Sequence, residues 1–152
     1  MKVILLDIDG VLSPTYSTQE DSLIVDIQWS KFKIPVRVAE FIRNVSYEVE
    51  TIWASSWEYD SLEVSKELNL KIKQVIEFGD TESVWFKIPS YLQYLKENED
   101  KEVLIIDDEI CEFKEHFESF SNVTLICPDD RIGLSDKDFE TVLEWMNLWR
   151  LT

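Results

Sequence analysis

Two aspartates one residue apart follow the first apolar run of the chain. The run from Val3 to Leu6 is short, and Asp7, Asp9 and Gly10 come directly after it. Such a run is typical of a buried strand, whose side chains alternate between two faces, so Asp7 and Asp9 should share one face. Two carboxylates held that close repel each other and must share a proton or hold a cation. An ordinary Asp-Gly turn at a strand end is the alternative interpretation.

A second apolar run also ends in acids. Val103 to Ile106 is wholly apolar, and Asp107 and Asp108 follow it at once. Ligands of open α/β sheets bind outside the carboxyl ends of strands. Carboxylates are the hard oxygen ligands that Mg²⁺ prefers, although strand-end acids can also cap a following helix. Two strands that each end in paired acids favour a metal site over coincidence.

The six residues Asp-Ile-Asp-Gly-Val-Leu that begin at Asp7 resemble the first motif of the haloacid dehalogenase (HAD) superfamily. Most of its members are magnesium-dependent phosphohydrolases. The resemblance implies that Asp7 is the nucleophile, and that Asp9 protonates the leaving group and then activates water. The run ending in Asp107 and Asp108 resembles the fourth motif. It implies that Asp108 binds Mg²⁺ together with Asp7 and the backbone carbonyl of Asp9, and that Asp107 either supports these ligands without touching the metal or replaces Asp108 as the ligand.

Hydroxyl groups and a lysine complete the resemblance. The superfamily places a Ser or Thr after the second strand to hydrogen-bond the phosphoryl group; Ser55 matches best and Ser56 is a close alternative. A Ser-Ser pair can instead cap the next helix. Lys87 stands where the superfamily has a lysine that neutralises charge on the nucleophile and the phosphoryl group. Lys71 and Lys73 remain alternatives for that role.

Two further stretches resemble one small capless branch of the superfamily. They are Trp-Ala-Ser-Ser-Trp-Glu, which begins at Trp53, and the segment from Cys127 to Ser135. Members of this branch are HAD domains linked to RNA-repair proteins, which implies a phosphorylated small molecule or a nucleic-acid end as substrate. Trp29, Trp53 and Trp57 could stack on a base, with core packing as the alternative. Arg131 could contact a distal phosphate or be an ordinary loop arginine.

The alternation of apolar runs with amphipathic segments predicts an α/β fold, a Rossmann-like three-layer sandwich with a mostly parallel sheet of about five strands. Residues 13–33 instead alternate apolar and polar side chains, which predicts a small flap inserted after the first strand. The flap is too short for a second domain, so 1–152 is predicted to be a single HAD-like domain with no large cap domain. A flap that small leaves room for a homodimer. The predicted strands are 3–6, 49–54, 75–78, 103–106 and 123–126, and the predicted helices are 35–46, 58–68, 88–96 and 136–149.

The chain is strongly acidic, with 15 Lys and Arg against 31 Asp and Glu and a net charge of -16. Such a charge repels phosphate backbones, so nonspecific nucleic-acid binding is not expected. A local basic groove stays open as an alternative to scattered surface charge. Four basic residues share the thirteen positions 31–43 with one acid, namely Lys31, Lys33, Arg37 and Arg43.

Cysteine and histidine are scarce. Cys111, Cys127 and His116 are the only ones present, too few for a tetrahedral zinc site. We expect two buried free thiols in a reducing compartment, and a packing role for His116. The first apolar run is too short for a signal peptide, and no stretch approaches membrane-spanning length. The sequence thus predicts a soluble, cytoplasmic protein with no membrane partner.

The leading prediction is a Mg²⁺-dependent phosphatase that forms an aspartyl phosphate at Asp7. A catalytically inactive HAD-fold binding or regulatory module is the alternative. The enzyme is favoured over the inactive module, because a protein without catalysis has no reason to keep clustered acids that repel one another. Phosphoryl transfer to an acceptor other than water is disfavoured, because a small flap excludes water poorly.

Overall fold

The computed structural model describes residues 1–27, 30–79 and 82–147 of the chain. Seven strands and four α-helices lie in these residues. The strands are β1 (Lys2–Leu6), β2 (Ser22–Ile27), β3 (Ser30–Pro35), β4 (Glu50–Trp53), β5 (Gln74–Val75), β6 (Glu102–Ile106) and β7 (Val123–Ile126). The helices are α1 (Val36–Glu48), α2 (Ser61–Leu68), α3 (Ile88–Glu97) and α4 (Asp136–Met146). Five strands form one parallel sheet in the order β5-β4-β1-β6-β7.

Both faces of the sheet are buried, which explains why its central strands are apolar throughout. Ile4 and Leu6 of β1 pack into one core with α1, α2 and α4. Val3 and Leu5 point the opposite way and pack with α3 and the 3₁₀ segment Ile110–Phe117. The predicted Rossmann-like three-layer architecture is confirmed.

The predicted flap is present as a β-hairpin. Strands β2 and β3 pair antiparallel, and the hairpin extends to Pro35, two residues beyond the predicted end. Val25, Ile27 and Ile34 are buried in the core, which anchors the hairpin to the sheet layer. Residues 28 and 29 lie outside the described part of the chain, so the stacking prediction for Trp29 stays a prediction.

Element boundaries differ from the predictions mainly at the edges. The predicted strand 75–78 is reduced to Gln74–Val75, because β5 is an edge strand that pairs only with Ile52 and Trp53. The predicted helix 58–68 begins as a 3₁₀ turn and becomes α-helical at Ser61. Helix α4 ends at Met146, and Trp149 lies outside the described residues.

Two predictions about sulfur and imidazole groups are wrong. Cys111 and Cys127 form a disulfide, which joins the 3₁₀ segment after β6 to the residue that follows β7. Free thiols can therefore no longer be used to infer a reducing compartment, and the cytoplasmic location stays a prediction. The side chain of His116 is 41% exposed, because the short 3₁₀ segment turns Ile110 and Phe117 inward instead.

No helix in the described ranges is long and apolar enough to cross a membrane.

Candidate active site

Three parallel strands bring the predicted site residues to one edge of the sheet. The backbone pairing of β1 with its neighbours continues one residue past each strand, through Asp7 N–H to the carbonyl of Ile106 and Ala54 N–H to the carbonyl of Leu6. Asp107 follows β6 in the same way, donating its N–H to Ile126. The ends of β1, β4 and β6 are thereby held side by side.

Asp7 and Asp9 differ in burial and in their partners. The Asp7 carboxylate is buried, and its Oδ1 accepts a 2.8 Å hydrogen bond from the N–H of Ile8. Asp9 is exposed, and its Oδ2 accepts a 2.8 Å hydrogen bond from the indole N–H of Trp57. Asp7 thus has a fixed orientation inside the site, while Asp9 stands at its solvent side.

The Lys87 ammonium connects β1, β4 and β6. Its Nζ lies 3.3 Å from Asp7 Oδ1 and 2.8 Å from Asp107 Oδ2, and it donates a 2.8 Å hydrogen bond to the carbonyl of Ala54. The side chain is almost fully buried. Burial alone would lower the pKa of Lys87, but Asp7 and Asp107 outweigh burial and the pKa is raised, so the ammonium stays charged.

The other two candidate lysines lie away from this site. Lys71 and Lys73 are exposed and precede β5, at the amino-terminal edge of the sheet. The Nζ of Lys71 lies 6.0 Å from the ring centroid of Tyr47. Of the three lysines that the sequence left open, the structure brings only Lys87 to Asp7.

Asp107 is saturated by protein hydrogen bonds. Its Oδ2 accepts from Lys87 and from the hydroxyl of Tyr91, both at 2.8 Å, and its Oδ1 accepts from the N–H of Glu109 at 3.0 Å. Tyr91 is fully buried, and burial together with the charge of Asp107 raises its pKa well above the ordinary value. Tyr91 therefore remains a neutral donor. Sequence reasoning missed it, because a Tyr inside an amphipathic helix carries no local sign of such a role.

One carboxylate oxygen of Asp108 lacks a hydrogen-bond partner among the described residues. This atom, Oδ1, is buried. Oxygens of Asp7, Asp107 and Asp108 all lie within 4.8 Å of one another. Partial burial and then the charge of Asp107 raise the pKa of Asp108 to about 6. A divalent cation would satisfy the orphaned oxygen and relieve the repulsion, so the residues fit Mg²⁺.

Burial dominates the electrostatics of Asp7. It raises the pKa of this carboxyl well above the usual range; the Lys87 ammonium opposes this rise, while Asp107 and Asp108 add to it. Three carboxylates thus face one ammonium in the described part of the site. An added positive charge would favour the ionised carboxylate that a nucleophile needs.

The two serines occupy different positions. Ser55 is fully buried, and its Oγ accepts a 3.1 Å hydrogen bond from the N–H of Trp57. Ser56 is exposed and lines the open cleft above Asp7. The Ser55 hydroxyl shapes the turn after β4, and its proton remains available for a second partner.

A cleft of about 290 Å³ opens over these groups. It contains four residues that the sequence analysis did not single out as site residues, namely Thr15, Phe86, Glu109 and Asp130. Glu109 directly follows Asp108, and Asp130 lies within the quoted segment from Cys127 to Ser135, whereas nothing local marks Phe86. The other cleft residues are Asp7, Asp9, Gly10, Ser56, Lys87 and Asp108.

The remaining aromatic and arginine candidates fall outside the cleft. Trp53 is fully buried and donates its indole N–H to Ser65 Oγ, so it is a core residue. Arg131 is exposed and forms two hydrogen bonds of 2.9 and 2.6 Å with the carboxylate of Asp129. Its guanidinium is therefore already paired.

A family model described as "HAD domain in Swiss Army Knife RNA repair proteins" matches residues 3–139. The chain belongs to this HAD family. The match spans both acid pairs, the Ser55-Ser56 turn and Lys87, and it confirms the predicted superfamily and branch. Membership supports a HAD-type hydrolase at the level of the superfamily. A search of curated proteins found no significant match to the chain.

Proposed function

We propose that this HAD domain is a Mg²⁺-dependent phosphomonoester hydrolase that forms an aspartyl phosphate on Asp7. Its substrates would be nucleotides or nucleic-acid end phosphates. One observation supports the proposal above all: the buried Asp7 carboxylate lies 3.3 Å from the Lys87 ammonium, beside the unpartnered oxygen of Asp108. A candidate nucleophile, a fixed ammonium group and an oxygen available to a metal ion therefore lie together at the carboxyl-terminal edge of the sheet.

The ligand set follows from which oxygens are free. Asp7 and Asp108 would hold Mg²⁺ with their side chains, and the resemblance adds the backbone carbonyl of Asp9. Asp107 is less suited to direct ligation, because Lys87, Tyr91 and the N–H of Glu109 already occupy its oxygens. When bound, Mg²⁺ supplies positive charge that lets an anionic carboxylate approach an anionic phosphate.

In the first step, an oxygen of Asp7 forms a bond to phosphorus while the ester P–O bond breaks. The electron pair of the broken bond stays on the leaving oxygen, which takes a proton from the carboxyl of Asp9. The Trp57 indole donates to Asp9 Oδ2, which leaves the other carboxyl oxygen to carry the proton for this transfer. Lys87 neutralises charge at Asp7 during the attack, and the Ser55–Ser56 turn offers hydroxyl and backbone donors.

In the second step, Asp9 takes a proton from a water molecule whose oxygen attacks phosphorus. The bond between phosphorus and Asp7 breaks, releasing inorganic phosphate and restoring the carboxylate. The exposed position of Asp9 suits both halves of the cycle, since the leaving group and the water arrive from solvent. A water-accessible cleft also favours hydrolysis over transfer to another acceptor.

The test is phosphate release from an aryl phosphate with Mg²⁺ and with a chelator. We expect Asp7→Asn to lower the rate at least about 10³-fold, because the amide removes the nucleophile without changing the shape of the side chain. Asp130→Asn is the matched control: it removes an acid from the same cleft and should retain the rate to within a few-fold. Full activity of Asp7→Asn, or of the chelated protein, contradicts the proposal.

A binding module without catalysis would give a different pair of results. It would show a saturable rise of Tm with Mg²⁺, but no phosphate release from aryl, nucleotide or oligonucleotide phosphates. That combination would replace the phosphatase with the alternative function.

A further inference from the structure

A second concave surface adjoins the active-site cleft on the side of the hairpin. It lies between the loop after β1 and strand β3, and its volume is about 300 Å³. We call it the flap groove. It is lined by Ser13, Pro14, Thr15, Tyr16, Ser17, Thr18, Lys31, Phe32 and Lys33.

The flap groove borders the active-site cleft near Asp9, the proposed proton donor. Thr15 lines both the groove and the cleft. Phe32 packs against Trp57 with 5.6 Å between ring centroids, and the indole of Trp57 donates to Asp9. Since Asp9 is the proposed proton donor, the leaving group must lie next to it. The part of a substrate beyond the leaving oxygen can reach the groove past Thr15, the residue that the two concave surfaces share.

The two lysines of the groove are available to a ligand. Within the described ranges Lys33 has no ion pair, and Lys31 has one loose contact, 3.8 Å from the exposed Asp26. The other basic residues of this segment are committed. Arg37 pairs with Glu20 at 2.7 Å, and Arg43 donates to the carbonyl of Leu68 at 2.9 Å.

The two groove lysines stand out because the rest of the site is acidic. Five acids line the catalytic cleft, and Lys87 is its one basic residue in the described structure. Lys87 is buried against Asp7 and Asp107, so it offers little attraction to a distant anion. In a chain of net charge -16, the flap groove brings two exposed lysines together with a loop that contains four serine and threonine residues. Ammonium and hydroxyl groups are donors suited to phosphate oxygens.

We propose that the flap groove binds a second phosphate group carried by the leaving group of the substrate. This inference rests on the proposed function. It selects esters whose leaving group is itself phosphorylated, which is the chemistry of nucleoside bisphosphates and of phosphorylated strand ends. Lys31 and Lys33 contact the second phosphate, while Asp7 and Lys87 act on the first.

The test compares the double variant Lys31→Gln/Lys33→Gln with the unchanged chain. Substrates are an aryl phosphate, adenosine 3′- and 5′-monophosphates, adenosine 3′,5′-bisphosphate and a short oligonucleotide with a terminal phosphate. We expect kcat/KM for the substrates with a second phosphate to fall about 10-fold in the variant, with the aryl phosphate rate within about 2-fold. Lys71→Gln/Lys73→Gln is the control, since it removes the same charge at the same spacing from the far edge of the sheet.

Binding gives a readout that does not need turnover. In the Asp7→Asn background, calorimetry should show that Lys31→Gln/Lys33→Gln raises the Kd of the bisphosphate about 10-fold. Loss with the bisphosphate supports a small-molecule source of the second phosphate, and loss with the oligonucleotide alone supports a phosphodiester chain. If Kd and kcat/KM are unchanged for both ligands, the flap groove does not bind a second phosphate. Hydrolysis of the aryl phosphate would still support the phosphatase proposal in that case. Absence of aryl phosphate hydrolysis contradicts the phosphatase proposal. The Kd values from calorimetry then test phosphate binding in the flap groove independently of turnover.

Discussion

At the scale of single residues, the site depends on how Asp107 is satisfied. Asp107 is buried, and together with Asp7 it keeps the pKa of Lys87 raised, so that the ammonium stays charged 3.3 Å from Asp7. A buried carboxylate is stable only where donors surround it. The hydroxyl of Tyr91 is one of these donors, so a tyrosine that touches no substrate helps to position the lysine.

Tyr91→Phe should lower the free energy of unfolding by about 1–3 kcal/mol, because it leaves a buried carboxylate short of a donor. Urea denaturation measures this loss. Tyr94→Phe on the same helix is the control: the Tyr94 hydroxyl is buried without a hydrogen-bond partner in the described structure, so its removal should cost under about 0.5 kcal/mol. Equal losses for the two variants would contradict the role given to Tyr91.

The raised pKa values of Asp7 and Asp108 predict how stability depends on pH. A carboxyl whose pKa is higher in the folded state binds more protons there, so its contribution is most favourable at low pH and is lost as pH rises through the folded value. For Asp108 that value is about 6, raised first by desolvation and then by Asp107. Without metal, Tm should therefore fall between about pH 4 and pH 6, the interval between the ordinary pKa of an aspartate and the raised one.

Mg²⁺ should reverse this trend, because it binds the ionised carboxylates. The rise in Tm caused by a fixed Mg²⁺ concentration should grow over the same pH window. Asp108→Asn should flatten that growth, since the amide does not titrate. A Mg²⁺-induced rise that is the same at both ends of the window would show that these carboxyls do not bind the metal.

At the scale of elements, the turn that follows β1 determines how closely the acids at the ends of β1 and β6 can pack. Gly10 has a φ of +76°, a conformation that side chains rarely adopt. A Cβ on Gly10 would stand 2.7 Å from Cγ and Oδ2 of Asp108. The turn after β1 thus leaves no room for a side chain beside Asp108, and the glycine allows the turn and Asp108 to lie together at the same edge of the sheet.

Gly10→Ala should displace Asp108 and weaken Mg²⁺ binding, and the strained φ should cost about 1–3 kcal/mol of unfolding free energy. Calorimetric Mg²⁺ titration and urea denaturation measure the two effects. Gly79→Ala is the control, since a Cβ there meets no described atom within 4 Å. Mg²⁺ affinity that survives Gly10→Ala would argue against Asp108 as a ligand.

At the scale of the whole molecule, the net charge of -16 acts on both stability and binding. Like charges on a compact surface repel, and salt screens that repulsion over roughly 20 Å at 0.02 M but only about 6 Å at 0.3 M. The same field keeps anionic substrates at a distance, which is why the position of the flap-groove lysines matters for substrate choice.

Raising NaCl from about 0.02 to about 0.3 M should therefore raise Tm, by screening repulsion that is stronger in the compact state. Scanning calorimetry with a chelator in every sample measures the effect without interference from bound metal. A Tm that falls over this range would show that attractive ion pairs, such as that of Arg37 with Glu20, outweigh the net repulsion.

The sequence alone determined the features that depend on neighbouring residues. Apolar runs give buried strands, an acid pair after a run lies at its carboxyl end, and alternation from Leu23 gives the hairpin; each follows from periodicity along the chain. Helix α4 likewise begins at a local signal, since Ser135 and Asp138, three residues apart, form a capping box at its start. These patterns were sufficient for the fold class, and resemblance in the motifs was sufficient for the family.

Only the tertiary structure decided which distant residues meet. The selection of Lys87 over Lys71 and Lys73 depends on which end of the sheet each lysine reaches. The partners of Asp107 depend on how helix α3 packs on β6. Contacts between residues tens of positions apart are fixed by strand order and packing, and local patterns carry no record of them. The disulfide and the flap groove became visible for that reason only when the chain was folded.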